Sequence, residues 1–265
     1  LLGTFYEFSQ LQQKYNFDEV VVALHIDEAS YIKEIIKLCD LEGIRIKIIP
    51  GFYEYMKYST YIEDLNGMPV LTVRGIPLDK SLNRFIKRIF DILVSLVAFL
   101  LLWPVFLVIA VIQKIKEPKE NIFFAQERIG INNKKFKMYK FRSMKTLAPD
   151  EEKTKWSTQN DPRITKFGEF LRRTNLDELP QFYNVLKGDM SVVGPRPERP
   201  YWVGKFKDDV PHYMLRHYVK SGITGWAQVN GFRGDTSIPK RIEYDNYYIR
   251  NWSLIFDIYI IFLTI

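Results

Sequence analysis

The feature that most constrains this chain is an apolar segment from Ile92 to Ile112, in which Ser95 is the only polar residue. Its 21 residues would extend about 30 Å as an α-helix, which matches the hydrocarbon core of a bilayer. A mean hydropathy of −0.15 for the whole chain excludes a protein with many spanning helices. The segment therefore predicts a membrane helix or a helix buried in a large core.

Two details favour a helix that enters the membrane and returns over one that crosses it. Trp103 and Pro104 lie near the centre of the segment, where proline removes a backbone hydrogen bond and bends the helix. Basic residues flank both ends, with Lys87 and Arg88 before the segment and Lys114 after it. Because positive charge marks the cytoplasmic side, a re-entrant helix satisfies both details. A spanning helix and a buried core helix satisfy only the length.

The net charge of +7 is concentrated beside this segment. Between Gln113 and Lys145 there are ten Lys or Arg residues against three Glu residues, an excess equal to the charge of the whole chain. Such a window indicates anionic lipid headgroups or a phosphorylated ligand, although an ordinary solvated surface has the same composition. The adjoining apolar segment makes lipid phosphate a better target than nucleic acid.

Composition also restricts metal sites. The single cysteine, Cys39, permits no disulfide within the chain, and three histidines are too few for a Cys/His zinc site. Any metal is therefore expected to have oxygen ligands. The chain has no initiator methionine or signal peptide and ends inside the apolar run Ile255 to Ile265, so we expect it to be a piece of a longer protein.

The amino-terminal part predicts a partial doubly wound, Rossmann-like α/β domain. A β-branched run at Val20–Leu24, a helical stretch at Ser30–Leu41 and a second run at Ile44–Ile49 indicate a βαβ unit. Such a unit implies a parallel sheet covered on both faces, and Val70–Val73 is a candidate further strand. Since no Gly-rich phosphate loop follows a strand, a structural or regulatory role is favoured over nucleotide binding.

Positive side chains recur in three motifs of the second half. Lys140 and Arg142 are two residues apart, so an extended segment would present both on one edge, as a phosphate site or as a charged strand face. Arg196 lies between two prolines, which restrict the backbone around a guanidinium suited to a diphosphate, although a surface loop is the alternative. A loop with several glycines, Ser221–Gly231, precedes Arg233 and lets backbone approach a ligand closely.

Asp177 and Glu178 are adjacent carboxylates before a short helix delimited by Pro180 and Gly188. Capping of this helix by Asp177 is the simple structural interpretation. With Arg172 five residues earlier, the pair also supplies what phosphoryl transfer requires, which is oxygen ligands for Mg²⁺, a carboxylate nucleophile and a guanidinium for phosphate. Spacing alone leaves both interpretations open.

Together the motifs resemble those of the bacterial sugar transferase family, over about residues 85–265. They are Lys87-Arg88-Ile89-Phe90-Asp91, Gln126-Glu127-Arg128-Ile129-Gly130, Lys140-Phe141-Arg142-Ser143-Met144, Asp161-Pro162-Arg163-Ile164-Thr165, Leu176-Asp177-Glu178-Leu179-Pro180-Gln181, Gly194-Pro195-Arg196-Pro197, Gly222-Ile223-Thr224-Gly225 and Tyr244-Asp245. The resemblance implies a monotopic phosphoglycosyl transferase that loads the first sugar of exopolysaccharide, capsule or O-antigen onto undecaprenyl phosphate. The upstream βαβ piece is similar to a domain that larger members carry after four spanning helices.

The resemblance implies a Mg²⁺-dependent, two-step reaction. Asp177 would attack the β-phosphate of a UDP-sugar and release UMP, and undecaprenyl phosphate would then take the phosphosugar from the enzyme. Glu178 would hold Mg²⁺ with Asp177 or deprotonate the acceptor phosphate. The implied phosphate-binding residues are Lys140, Arg142, Arg172, Arg196 and Arg233.

The predicted organisation has three parts. Residues 1–78 form the partial Rossmann-like domain, 79–116 a linker and re-entrant helix, and 117–265 a mixed α/β, helix-rich catalytic domain ending in an interfacial helix with Asp257 on its solvent side. The family's helix usually breaks at Ser-Pro, whereas Trp103 precedes Pro104 here.

The expected location is the cytoplasmic face of the bacterial inner membrane, in contact with membrane lipids, with no nucleic acid partner and dimerisation through the upstream domain left open. The alternative is a non-catalytic membrane-bound regulatory or scaffold protein that senses a nucleotide. No motif indicates which sugar is used.

Overall fold

A computed structural model describes residues 7–15, 17–23, 29–49, 61–65, 68–72, 75–145 and 161–264. The chain divides into two compact units, Leu1–Gly75 and Ile76–Ile265.

The first unit contains the predicted βαβ arrangement. Its elements are α1 (Phe8–Tyr15), β1 (Glu19–Ala23), α2 (Ala29–Glu42), β2 (Arg45–Ile49), β3 (Tyr61–Leu65) and β4 (Met68–Thr72). Strands β1 and β2 pair in parallel, with Val20 opposite Ile46. Both side chains pack against a small core that contains the fully buried Cys39 of α2. The single cysteine is therefore a small apolar core residue.

The sheet differs from the prediction in its extent and cover. Strand β4 pairs antiparallel with β3 in a separate hairpin instead of joining β1 and β2. Val21 and Ile49 are 54% and 45% exposed, so cover on both faces is not seen among the described residues and stays a prediction. Leu24 and Val73, the predicted last residues of two strands, lie outside the described residues. The Rossmann-like domain stays a prediction.

Near the start of the second unit lies the 36-residue helix α3 (Ser81–Lys116), which contains the whole apolar segment. The helix continues on both sides of Pro104. Most apolar side chains of α3 are exposed, including Trp103. Because these side chains are exposed, α3 is not a buried core helix. The break at Trp103 and Pro104 stays a prediction.

The rest of the second unit is mixed α/β and rich in helix. Strands β5 (Phe123–Ile129) and β6 (Lys135–Phe141) are antiparallel, and β7 (Ser191–Val193) and β8 (Gly222–Thr224) are parallel. The helices that follow α3 among the described residues are α4 (Lys166–Arg173), α5 (Gln181–Lys187), α6 (Pro200–Asp209), α7 (Trp226–Val229), α8 (Ile238–Arg250) and α9 (Leu254–Thr264). A core around Val185, Met190, Val193, Tyr248 and Ile260 joins α5, β7, α8 and α9.

A buried polar network connects α3 to α9. Lys87 Nζ lies 2.6 Å from Asp257 Oδ2, and Asp257 also accepts hydrogen bonds from Tyr248 Oη at 2.8 Å and Trp252 Nε1 at 3.1 Å. Asp257 is 0% exposed, so its predicted place on the solvent side of the helix is wrong. The physical reason is that this face of α9 packs on the protein core, where Asp257 meets the cation of α3.

The two ends of α3 are bound to the same unit. Near its start, Arg88 donates to the backbone oxygens of Val185 and Leu186 at 2.6 and 2.7 Å. In its last turn, Gln113 Nε2 donates to the backbone oxygen of Arg142 at 2.7 Å. The second unit therefore holds α3 at both ends while most of its apolar surface stays exposed.

Candidate active site

A short 3₁₀ turn, Leu176–Glu178, carries the two adjacent carboxylates between α4 and α5. Helix α4 is capped by Thr165, whose hydroxyl accepts a hydrogen bond from the backbone N–H of Gly168 at 3.0 Å. A Cβ on Gly168 would lie 1.9 Å from the backbone oxygen of Ser143, so only glycine allows α4 this close to the chain after β6. This contact fixes the turn against β6.

Asp177 is 6% exposed and does not cap α5. The helix begins after Pro180 with no side-chain cap, which contradicts the capping interpretation. Within the described part of the chain, Asp177 Oδ1 is buried and has no hydrogen-bond partner. Burial raises the pKa of this carboxyl above its ordinary value, against the positive charge of Lys140. The structure thus leaves one acceptor oxygen of Asp177 buried and without a hydrogen bond.

Glu178, in contrast, is bound by three cations. Arg196 donates to both carboxylate oxygens at 2.6 and 3.1 Å, and Lys140 and Arg233 donate to Oε1 at 2.8 and 3.1 Å. Burial alone would raise the pKa of Glu178, but the charges of Arg196 and Lys140 outweigh it and hold the pKa well below the ordinary value. Glu178 is therefore an anion over the whole physiological pH range.

The three cations come from distant parts of the chain. Lys140 is on β6, Arg196 is in the loop after β7, and Arg233 follows α7. Arg233 also donates to Asn175 Oδ1 at 2.7 Å and its side chain is 39% exposed. Their excess of positive charge around one carboxylate is suited to binding a phosphate or diphosphate next to Asp177.

The structure separates the other two predicted cations from this cluster. Arg142 pairs with Glu120 and donates to the backbone oxygen of Asn121 at 2.9 Å. Strand β6 ends at Phe141, so the alternation expected to align Arg142 with Lys140 does not extend that far. Arg172 Nη1 lies 3.0 Å from Met144 Sδ.

Arg172 nevertheless acts on the site through its charge, since it is among the positive charges that oppose the rise in the pKa of Asp177 caused by burial. The Asp177–Glu178 turn, Lys140, Arg196, Arg233 and the charge of Arg172 thus belong to one site.

A second layer of charged residues holds the loop that carries Arg196, and sequence reasoning assigned no role to it. Arg216 Nη2 donates to the backbone oxygen of Arg196 and to Asp245 Oδ2, both at 2.8 Å. Arg128 donates to the backbone oxygen of Pro197 at 2.9 Å. Arg128 and Asp245 belong to motifs that were noted in the sequence. Arg128 bonds to this loop directly, and Asp245 is connected to it through Arg216.

A further pair connects the Arg196 loop to the Arg233 loop. Glu198 accepts a hydrogen bond from Arg241 Nη1 at 2.8 Å, and Arg241 Nη2 donates to the backbone oxygen of Gly234 at 2.6 Å. Two of the three cations around Glu178 are thereby fixed relative to each other.

A cavity of about 310 Å³ lies next to this site. Glu178, Asn175 and Arg233 form one end. Its apolar wall consists of Leu179, Phe182, Ile223, Val229 and Leu263.

The described residues contain no group of three or more His, Cys, Asp or Glu side chains able to hold a metal ion. Asp177 offers a buried, unbonded oxygen, whereas both oxygens of Glu178 are occupied by cations. Because Mg²⁺ often binds one or two carboxylates together with substrate phosphates, Asp177 fits a Mg²⁺ ligand and Glu178 fits poorly.

Comparisons with known proteins show what the chain is similar to. Residues 82–265 match the sequence model of the family described as Bacterial sugar transferase. The chain is 43% identical over 253 residues to a UDP-glucose:undecaprenyl-phosphate glucose-1-phosphate transferase of Xanthomonas campestris pv. campestris, covering 93% of this chain and 52% of the relative.

Other relatives are named for different sugars. A UDP-N-acetylgalactosamine-undecaprenyl-phosphate N-acetylgalactosaminephosphotransferase of Aeromonas hydrophila is 38% identical, over 94% of this chain and 58% of the relative. An undecaprenyl-phosphate galactose phosphotransferase of Salmonella typhimurium is 37% identical, over 83% and 48%. The chain thus spans about half the length of these relatives. With a family match that covers all of the site residues, this chain belongs to the bacterial sugar transferase family.

Proposed function

We propose that the protein transfers a sugar 1-phosphate from a UDP-sugar to undecaprenyl phosphate and releases UMP, as the first step of surface polysaccharide synthesis. The observation that carries this proposal is the contrast between two adjacent buried carboxylates. Asp177 has a free oxygen, and Glu178 gathers three cations beside it. An available carboxylate within a phosphate-binding cluster is the arrangement that a phosphoryl-transfer nucleophile needs.

In the first step, an oxygen of Asp177 forms a bond to the β-phosphorus of the UDP-sugar. The bond between this phosphorus and the bridging oxygen breaks, and UMP leaves with the electron pair. Arg196 and Arg233 then face the charge that develops on the diphosphate oxygens. Since they are already held by Glu178 and by the second layer, little reorganisation is needed at the moment of reaction.

In the second step, an oxygen of undecaprenyl phosphate attacks the same phosphorus, and the carboxylate of Asp177 is restored. Dividing the transfer into two steps lets a soluble donor and a lipid acceptor use one nucleophile in turn. The intermediate is an aspartyl phosphosugar.

The contacts of Glu178 support an organising role. A carboxylate whose pKa lies well below its ordinary value is a weak general base. Its oxygens are also engaged by Arg196, Lys140 and Arg233, which leaves little capacity for a metal ion. We therefore place Glu178 as the anion that holds the phosphate-binding cations around Asp177.

We include Mg²⁺ as the cofactor, with Asp177 as its ligand from the protein. When bound, the ion would neutralise charge on the phosphate oxygens of the donor. Lys140, Arg172, Arg196 and Arg233 supply positive charge from the chain itself.

The re-entrant arrangement of α3 is part of the proposal. Lys87 and Gln113 would be about 39 Å apart along a straight helix, which exceeds the bilayer core of about 30 Å. Both nevertheless bond to the second unit, through Asp257 and through the backbone of Arg142. A bend at Trp103 and Pro104 that returns the helix to the same membrane face fits these contacts better than a crossing helix.

The flanking positive charges support a cytoplasmic location for this face, at the inner membrane. On this arrangement residues 1–78 form an upstream domain, 79–116 the membrane segment and 117–265 the catalytic domain. Dimerisation through the upstream domain stays a prediction.

The test is UMP release from UDP-glucose, UDP-galactose and UDP-N-acetylgalactosamine by the purified chain in detergent with Mg²⁺ and undecaprenyl phosphate. We expect sustained, lipid-dependent release with at least one donor, and none with Asp177→Asn. A folded protein that releases no UMP from any donor would support the alternative of a non-catalytic scaffold.

A further inference from the structure

The cavity beside Glu178 is bordered by the two apolar helices of the second unit. Leu263 and Thr264 at the end of α9 form part of its wall. Phe182 forms another part, and its ring centroid lies 6.5 Å from that of Phe99 in the apolar segment of α3. Exposed apolar side chains also lie elsewhere on both helices, such as Leu100 and Ile258. The cavity therefore lies between these apolar helices and Glu178, the neighbour of the proposed nucleophile Asp177.

The polar groups of the cavity are largely bonded to the protein. Thr224 and Thr264 share a hydrogen bond of 2.8 Å, and Thr264 also donates to the backbone oxygen of Ile260. Gln228 Nε2 donates to the backbone oxygen of Ile223 at 3.1 Å, while its Oε1 is buried and has no partner among the described residues. A nucleoside or a sugar needs several partners for its hydroxyl and base groups, and these walls provide few.

The two ends of the cavity differ in their chemistry. One end presents the partly exposed guanidinium of Arg233, 3.1 Å from Glu178. The other end is apolar, with Phe182, Val229 and Leu263. A phosphate attached directly to a hydrocarbon chain matches both ends.

The loop that forms one wall packs its backbone directly on the backbone of Gly194. A Cβ on Gly222 would lie 2.1 Å from the backbone nitrogen of Gly194, and a Cβ on Gly225 would lie 2.3 Å from the backbone oxygen of Gly194. Only glycine at these positions permits such close backbone contact.

We propose that this cavity is the acceptor subsite, which holds the isoprene units next to the phosphate of undecaprenyl phosphate as the lipid enters between α3 and α9. The inference rests on the proposed function and adds the location of the lipid. At about 310 Å³ the cavity is at the small end of ligand sites, so only the units nearest the phosphate fit and the rest of the chain stays in the bilayer. Arg233 faces the lipid phosphate.

The two half-reactions separate this inference from the proposed function. The donor step is measured as a burst of UMP, one per protein, without lipid. The acceptor step is measured as steady-state turnover against undecaprenyl phosphate concentration and against geranyl phosphate, which has only two isoprene units. The full chain is used, in detergent, with Mg²⁺ and the best UDP-sugar.

Leu263→Trp fills the cavity, and Phe262→Trp, its 75% exposed neighbour, is the matched control. We expect Leu263→Trp to raise KM for both lipid phosphates by at least about tenfold, corresponding to about 1.4 kcal/mol, with the UMP burst unchanged. Phe262→Trp should stay within about twofold of the parent chain. Val229→Phe fills the cavity from α7 and should give the same result as Leu263→Trp. Agreement between the two variants would exclude a defect confined to α9.

Two results would overturn the acceptor assignment. One is loss of the UMP burst in Leu263→Trp and Val229→Phe with an unchanged KM for lipid, which would make the cavity a donor site. The other is parent-like kinetics in both variants. Absence of a burst in the parent chain with every UDP-sugar would instead overturn the proposed function, and the inference with it.

Discussion

Replacing Lys87 by methionine should destabilise the second unit strongly. Lys87 Nζ is 2.6 Å from Asp257 and 3.9 Å from Asp91, and both carboxylates are buried. Methionine has a similar length but no charge, so the variant leaves two buried acids without their cation. Tyr248 and Trp252 still donate to Asp257, but neutral donors do not replace a charge. Removing one partner of a buried ion pair costs about 3–5 kcal/mol.

For a unit of this size, about 1 kcal/mol lowers Tm by roughly 2–4 °C, so Lys87→Met should lower it by about 10 °C. The measurement is thermal unfolding in detergent, followed by tryptophan fluorescence, because Trp252 donates to Asp257. The control is Lys240→Met, which breaks a pair with Glu243 whose side chains are 59% and 66% exposed and should leave Tm nearly unchanged.

A second variant tests the cause of the loss. Lys87→Met combined with Asp257→Asn removes the unpaired charge on Asp257 and should recover part of the Tm. A Tm for Lys87→Met within the range of Lys240→Met would refute the conclusion that a buried ion pair joins α3 to α9.

Three further predictions concern the site and its surroundings. Arg196→Lys keeps the charge but loses the two-pronged contact with Glu178, so UMP release should fall on the order of 100-fold with little change in Tm; an unchanged rate would contradict this role. Burial and the charge of Arg216 lower the pKa of His217 from 6.5 to about 4. As pH falls, His217 therefore takes up a proton in the unfolded chain before it does so in the folded one, and stability is lost from about pH 6.5 toward pH 4. In urea titrations His217→Gln should lose less stability than the parent chain over this range. Gln181 is fully buried and neither atom of its amide has a partner among the described residues, so Gln181→Met should be as stable as the parent or more stable in the same titration; a lower urea midpoint would show that the amide is bonded.

The elements with a strong local pattern were predictable. The βαβ unit follows from β-branched runs around an amphipathic helix, and α3 follows from its hydropathy. The pairing of β4 with β3 was not predictable, because strand partners depend on contacts between distant residues. Asp257 shows the same limit. A lone acid in an apolar helix suggests a solvent face, but its partner is Lys87, 170 residues away.

The candidate site was predictable in its members and not in its arrangement. Local motifs indicated Asp177, Glu178 and Arg196 separately. Their spacing gave no sign that Glu178 binds the cations while Asp177 keeps a free oxygen. Strand alternation predicted that Arg142 and Lys140 lie on the same edge. The prediction failed because strand β6 ends between these two residues.

The central claim is that Asp177 becomes covalently bound to a phosphosugar, and intact-mass spectrometry of the full chain tests it most directly. After incubation with the UDP-sugar and Mg²⁺ without lipid, we expect a mass increase of one sugar phosphate. Peptide mapping should place it on Asp177, and undecaprenyl phosphate should discharge it. Asp177→Asn should show no increase. Lipid-dependent release of UMP with no adduct, or with an adduct on another residue, would contradict the account.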